Sequence, residues 1–388
     1  MNFFKKQKRV FLDYASITPV APEVLAVMEK HASAANPSAL YAEGLEAKDI
    51  VEAARSTISS ILSAQKKEIY FTASGTEADN LALLGVFEAY KKDFDVPHVI
   101  VSSIEHPAIL EVCKEIQKRG GEVTFLPVSE EGLVNPADVR KALKDTTVVV
   151  SVMYANNEIG TIQPVKEISK IIREWRHANG TALPYLHSDA CQAALYLPLD
   201  AQKLGVDLLT LDGIKMYGPR GIGMLYVRSG VRIAPILFGG GQENGLRSGT
   251  ENVAAIAGFA TALELAGEKR EEESARLLEI REYAIASILN AFPHASLNGS
   301  RTERLPSNIN ICFPGLDAEF AVISLDVAGI ACSYSSSCQT LKENSSSYVV
   351  EALGHPGCAL SSLRFTLGRE TVRSDIDALL SALKKIVK

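Results

Sequence analysis

No hydrophobic run in this 388-residue sequence approaches the length of a membrane span, so a spanning protein is not expected. Basic residues are not clustered: Lys and Arg are spread along a chain of net charge -6, which argues against nucleic acid as the main partner. There is no CxxC pair and no His at metal-ligand spacing, so no metal centre is expected. The six cysteines are scattered. In a reducing cytoplasm Cys113, Cys312 and Cys332, with apolar neighbours in "LEVCKEI" and "NINICF", read as small buried hydrophobes. No GK[ST] phosphate loop and no strand-GxGxxG-helix unit occur, which excludes a dinucleotide enzyme. Internal repeats and long low-complexity linkers are also missing. The opening "MNFFKKQKRVF" is basic but has no apolar core or cleavage pattern; no secretory signal is read, and a cytoplasmic location is the default expectation.

What is present is the composition of a soluble globular chain, 47% apolar and 22% charged, long enough for a large domain and a smaller one. Short β-rich runs ("EIYFTA", "HVIVSS", "EVTFLPV", "TTVVVSVMYA", "LPYLHSD", "DLLTLD", "GMLYVRS") alternate with helix-period stretches between about 65 and 230. Near-continuous apolar strands alternating with helices predict an α/β domain whose largely parallel sheet is buried on both faces. The charged amphipathic stretch "EKREEESARLLEIREYAIASILNAF" predicts a long connecting helix. The last hundred residues, with strands "SNINICF", "ACSYSS" and "SSLRFTLG" and two helices, predict a smaller α+β domain. The expected division is 15–260 for the large domain, with 1–14 and 261–388 forming the small one.

Ligands of such sheets sit at the carboxyl ends of the strands, so the loops there are the place to look for chemistry. In "FTASGTEADNLA" a strand runs into a helix through Ser74, Gly75 and Thr76, a start that suits a phosphate or, more plainly, an ordinary capped helix. His106 follows a second strand, Asn156 and Asn157 a third, and "HSDACQA" supplies His187, Asp189 and Gln192. Lys215 in "LDGIKMYGPRGIG" follows another, ahead of the Gly-rich "FGGGQENGLRSGT" with Thr250. A lone strand-end Lys or His is usually structural. Together, a phosphate cup, a strand-end carboxylate and a strand-end lysine are what pyridoxal 5'-phosphate requires.

The run "FLDYASITPV", "FTASGTEADN", "EHPAIL", "NNEIGT", "HSDACQ", "IKMYGPRGIG", "GGGQENGLRSGT", "SSLRFTLGRE" resembles the cysteine desulfurases, class-V members of the fold-type I pyridoxal-phosphate enzymes. The spacing from Cys338 to Arg364 is similar to that of the long-loop branch, which supplies sulfur for iron-sulfur clusters and tRNA thiolation. The resemblance implies that Lys215 holds the cofactor through a Schiff base and then moves the substrate's Cα proton. Asp189 would pair with the pyridine nitrogen, His106 stack on the ring, and Gln192 and Asn157 hydrogen-bond its O3' oxygen. Gly75 and Thr76 would bind the phosphate, with Thr250 reaching the cofactor phosphate of a second copy in a homodimer. Arg364, with Asn157, would receive the L-cysteine substrate, its guanidinium clamping the carboxylate. Cys338, in the serine-rich "ACSYSSSCQ" that is expected to form a loop at about 333–347, would be the nucleophile that takes the sulfur as a persulfide and carries it to an acceptor or scaffold protein.

Some positions depart from the family pattern. Asp212 stands where the family has a serine that donates to the cofactor phosphate, and Ile214 where it has a histidine. A carboxylate there repels a phosphate dianion unless it is protonated or turned away, which leaves the cup leaning on the helix start and on Thr250. "DYASITP" replaces a motif with a Thr-Thr pair, "NPSALYAEG" lacks a His, and Ser335 and Ser337 replace a Gly and an Ala near the thiol. A related lyase or aminotransferase, or a non-catalytic scaffold that binds sulfur acceptors, are the competing readings.

Overall fold

The structure is a computed structural model, described for residues 9–334 and 346–387. Seven strands, numbered here along the chain, form the main sheet: β1 (Ile69–Thr72), β2 (His98–Ser102), β3 (Glu122–Leu126), β4 (Thr147–Ser151), β5 (Tyr185–Asp189), β6 (Leu208–Asp212) and β7 (Gly223–Val227). Their spatial order is β1-β7-β6-β5-β4-β2-β3. The pairs β6/β5, β5/β4, β4/β2 and β2/β3 are parallel, whereas β7 runs antiparallel to both β6 and β1. The reason is the connection. Parallel neighbours need a crossover of a dozen or more residues, usually a helix, but the chain returns from β6 to β7 through a short turn with only one 3-10 turn, Gly213–Lys215.

Alternation along the central strands explains why both faces are covered. Val99 and Val101 of β2 pack with Leu83, Phe87, Cys113 and Ile116 from helices Gly75–Tyr90 and Pro107–Lys118. Ile100, between them, joins the opposite core with Val150, Leu186, Leu209, Ile58, Ile168 and Phe259. Side chains of period two therefore feed two separate cores.

A three-stranded antiparallel sheet follows, with β9 (Asn308–Cys312) between β10 (Ser362–Thr366) and the short β8 (Ser296–Leu297). Its apolar face, Ile309, Ile311, Leu363 and Phe365, packs on Ile285, Ile288, Ile376, Leu379 and Leu383. The expected connecting helix is longer than its charged stretch suggests. It runs unbroken from Val253 to Ala291, capped by the Asn252 carboxamide, which accepts from the Ala255 N–H at 3.1 Å. Its first half (Ile256, Phe259, Leu263) belongs to a core of the large sheet and its second half (Leu277, Ile285, Ile288) to that of the small one. Of the expected strand "ACSYSS", Ala331 pairs together with Ile330 against Val10–Phe11, and a single bridge follows from Ser333 to Arg364.

One expectation is corrected. Cys312 is buried, as its apolar neighbours imply, but it is not a free thiol: at the end of β9 it lies 5.4 Å, Cα to Cα, from Cys358 and forms a disulfide with it. The partner cysteine comes from the turn Pro356–Cys358 just ahead of β10, 46 residues on in sequence, a meeting that composition could not show. Cys113 is buried, as expected, and its thiol is free; Cys332 is free and half-buried.

Candidate active site

The loops at the carboxyl ends of β1, β2, β4, β5 and β6 converge on one cleft. Gly75, Thr76, His106, Asn157, Asp189, Gln192, Lys215 and Arg364 all line it. Sequence reasoning placed each of these there. Thr250 does not line the cleft and is exposed, and Cys338 lies outside the described residues.

The Lys215 turn is pinned from below. Thr18, in the altered "DYASITP" segment, donates to the Ile214 carbonyl through its N–H at 3.0 Å and its hydroxyl at 2.9 Å, and accepts from the Tyr217 N–H at 2.7 Å. Tyr217 itself has φ 59°, a left-handed conformation unusual for a bulky residue and tolerated where surrounding contacts hold it. Lys215 Nζ donates to the carbonyls of Ala15 (2.8 Å) and Ser16 (2.7 Å), and Gln192 Nε2 donates to Ala15 as well (2.9 Å).

Arg364, on β10, is 1% exposed. It donates to the Asn157 carbonyl (3.0 Å), the Asp13 carboxylate (2.9 Å) and the Ser16 hydroxyl (2.9 Å). The small sheet thus delivers a guanidinium into a cleft otherwise built from the large one. Asp189, at the end of β5, accepts from the Cys191 N–H at 2.9 Å. His106 caps helix Pro107–Lys118, its Nδ1 accepting from the Ala108 N–H at 3.2 Å. Burial lowers its pKa against the opposing pull of Asp189, so the ring is held neutral with its proton on Nε2.

Other candidates prove structural. His187 is fully buried between the Ser151 (2.8 Å) and Thr210 (3.0 Å) hydroxyls, and burial pushes its pKa down to about 4. The Asn156 carboxamide accepts from the N–H groups of Glu158 and Ile159 and shapes the turn that presents Asn157. Ser74 is the cap of helix Gly75–Tyr90, accepting from the Glu77 N–H at 3.2 Å.

The cleft also contains Ser16, Asp79, Met153, Ala155, Cys191 and Asp212, which motif reading did not assign to it as site residues. Asp79 lies one helical turn beyond Gly75, a spacing that could have flagged it. Asp79 Oδ1, Asn157 Oδ1 and Arg364 Nε are buried without hydrogen-bond partners among the described residues. Unpaired buried polar atoms are costly, and three on one cleft mark a site built for a polar guest.

The aminotransferase class-V profile matches residues 10–379. A cysteine desulfurase IscS of Dictyoglomus turgidum is 40% identical over 98% of this chain and 95% of that protein. Among solved structures, a NifS-like protein superposes with a TM-score of 0.89 at 31% identity, covering 97% of this chain and 99% of its own. SspA, solved in complex with cysteine, gives 0.79 at 32% identity over 94% of this chain and 100% of its own. The sheet order and the cleft at the strand ends are accordingly those of a fold-type I enzyme, and the chain belongs to the class-V aminotransferase family, on its cysteine desulfurase branch.

Proposed function

We propose that this chain is a cysteine desulfurase that, with pyridoxal 5'-phosphate, takes sulfur from L-cysteine, leaves L-alanine, and carries the sulfur as a persulfide on Cys338 to an acceptor protein of iron-sulfur assembly or tRNA thiolation. The observation that carries this reading is the convergence of Lys215, Asp189, His106, Asn157, Gln192 and Arg364 on one cleft.

The donor set fits the cofactor. A strand-end carboxylate (Asp189), a lysine on the next turn (Lys215), the start of a 16-residue helix at Gly75 and Thr76, and three unsatisfied polar atoms line a single cavity. When bound, the cofactor supplies an electron sink for the bonds at the substrate's Cα. Asp189 would hold a proton on the pyridine nitrogen, the neutral His106 ring would cover its face, and Gln192 and Asn157 would hydrogen-bond its oxygen. Lys215 would leave the Ala15 and Ser16 carbonyls to bind the cofactor, then shuttle the Cα proton. Arg364 already presents its guanidinium at Asn157 and would orient the substrate carboxylate.

The nucleophile needs a thiolate, and the free thiols among the described residues are poor candidates. Burial pushes Cys113 and Cys332 up to about 12 and raises Cys191 as well. Cys338, set among polar residues, is the cysteine left for the role. Its thiolate attacks the substrate sulfur, the Cβ–Sγ bond breaks, and the Cβ is protonated to give alanine. Thr250 would reach the cleft of a second copy; Leu237 and Phe238, in the same segment, are exposed at 44% and 81% and suit a homodimer contact.

The test is the visible spectrum and the products formed from L-cysteine. The wild type should show a visible absorbance band that Lys215→Ala abolishes and Cys338→Ala retains. Sulfide release should fall at least about 100-fold in both variants, the scale of losing a catalytic proton carrier or nucleophile. A protein that stays colourless with added cofactor sinks the reading and favours the scaffold. Sulfide release undiminished by Cys338→Ala favours a lyase that does not use the thiol.

A further inference from the structure

Asp212 ends β6, and its carboxylate lies across the start of helix Gly75–Tyr90. Oδ2 accepts from the Gly75 N–H at 2.8 Å, and Oδ1 accepts from the Ile214 N–H at 3.1 Å. The contact is close enough to demand glycine: a Cβ on Gly75 would meet Cys191 Sγ at 2.9 Å and Asp212 Cβ at 3.1 Å. A carboxyl oxygen therefore already occupies the N–H that a phosphate would use, at the positive end of the helix.

The surroundings make a second anion there expensive. Asp212 is faced by Asp79 from the helix, Asp189 and Cys191 from the end of β5, His106 from the start of helix Pro107–Lys118, and Lys215 from its own turn. Three carboxylates thus share the cleft with Lys215, while Arg364 is committed to Asp13. Asp79 is 2% exposed, and its Oδ1 is without a hydrogen-bond partner among the described residues. Burial raises the pKa of both Asp79 and Asp212, and Asp189 adds to it, so the pocket resists full ionisation even before a phosphate enters.

We propose that Asp212 is the phosphate-side selectivity residue of this cleft, admitting a phosphomonoester only together with one proton held between its carboxylate and a phosphate oxygen. The proposal rests on the cofactor reading above and adds a property to it. The proton comes from solvent, and the bond made at Lys215, with loss of water, is the same for an aldehyde with or without the phosphate. Because a phosphomonoester is a dianion above about pH 6, capture of pyridoxal phosphate at higher pH takes up one proton, and affinity falls about tenfold per pH unit. Pyridoxal, which has the same aldehyde and no phosphate, escapes this linkage, so the ratio of the two affinities isolates it from the chemistry at Lys215.

The experiment titrates pyridoxal phosphate and pyridoxal into the full chain freed of cofactor, following visible absorbance from about pH 7 to about pH 9, with Asp212→Ser and Asp212→Asn alongside. The wild-type affinity ratio, phosphate form over pyridoxal, should fall about tenfold per pH unit and stay flat in both variants. Near pH 8 the variants should hold the phosphate form at least about tenfold more tightly than the wild type. Calorimetry of the wild type in two buffers of different ionisation enthalpy should count about one proton taken up with the phosphate form, beyond that for pyridoxal, a readout that needs no variant. A flat wild-type ratio equal to that of the variants, or no excess proton, overturns the proposal while leaving the cofactor reading intact. If neither aldehyde gives a band that depends on Lys215, the cofactor reading itself fails and this proposal with it.

Discussion

Arg364 is held like a core residue, 1% exposed and anchored to Asp13, Ser16 and Asn157, yet its Nε keeps one donor without a partner among the described residues. A lysine at this position would keep the charge but lose the planar fork. Arg364→Lys is expected to lower kcat/KM for L-cysteine by about 30- to 100-fold, the worth of one or two charged hydrogen bonds at about 2 to 3 kcal/mol, with the thermal midpoint as the control for misfolding. Glu105 offers a residue-scale test by pH. It is fully buried, and burial, aided by Asp189, pushes its pKa up to about 8 against hydrogen bonds from Ser102 (2.6 Å) and the Met153 N–H (2.8 Å). The folded state therefore keeps a proton that the unfolded chain releases near 4.5, and stability falls as pH rises from about 4.5 to about 8. Glu105→Gln should make the decline of the melting temperature across that window shallower; an unchanged slope would show that Glu105 does not titrate there. At this scale legibility followed position. Lys215, Asp189 and His106 could be found because strand ends are visible as the last residues of β-rich runs. Ser16 and Arg364 meet from opposite ends of the chain, and only the family resemblance, not any local pattern, pointed to Arg364.

The element that matters most is helix Gly75–Tyr90, whose start is crowded on two sides. Gly223 of β7 runs so close beneath it that a Cβ would lie 2.4 Å from the Ser74 backbone. Gly223→Ala should force strand and helix apart and cost about 1 to 3 kcal/mol, seen as a lower denaturant midpoint together with weaker cofactor retention. A variant as stable as the wild type would mean that the helix start can shift freely. The strands themselves were legible, since their apolar runs match the observed spans closely. The reversed direction of β7 was not, because run composition is the same whether a strand points up or down. What reverses it is the shortness of the Gly213–Ile222 return, and that return also brings Lys215 back over the strand ends.

In the molecule as a whole, the helix Val253–Ala291 works as a shared beam, contributing to the cores of both sheets. Arg276, midway along it, donates to the carbonyls of Gly368 (3.0 Å), Arg369 (3.2 Å) and Thr371 (2.7 Å), just past β10. The strand that carries Arg364 is thereby referenced to the sheet that carries Lys215. Residue 260, the end of the large domain proposed from sequence, lies inside this helix. If Phe238 lies at a homodimer contact, Phe238→Asp should convert a two-chain mass in light scattering to a one-chain mass, and cofactor retention should drop with it as Thr250 is withdrawn. A wild type already of one-chain mass would remove that role for Thr250.

The Cys312–Cys358 bond has a topological consequence. Its two cysteines bracket the segment that contains Cys338, so the chain from 312 to 358 is a closed covalent ring with the proposed sulfur carrier inside it. A single cut anywhere on that ring leaves one molecule of unchanged mass apart from added water. Until a reductant opens the bond, a chain nicked beside Cys338 migrates undivided, and only then does it part into two pieces.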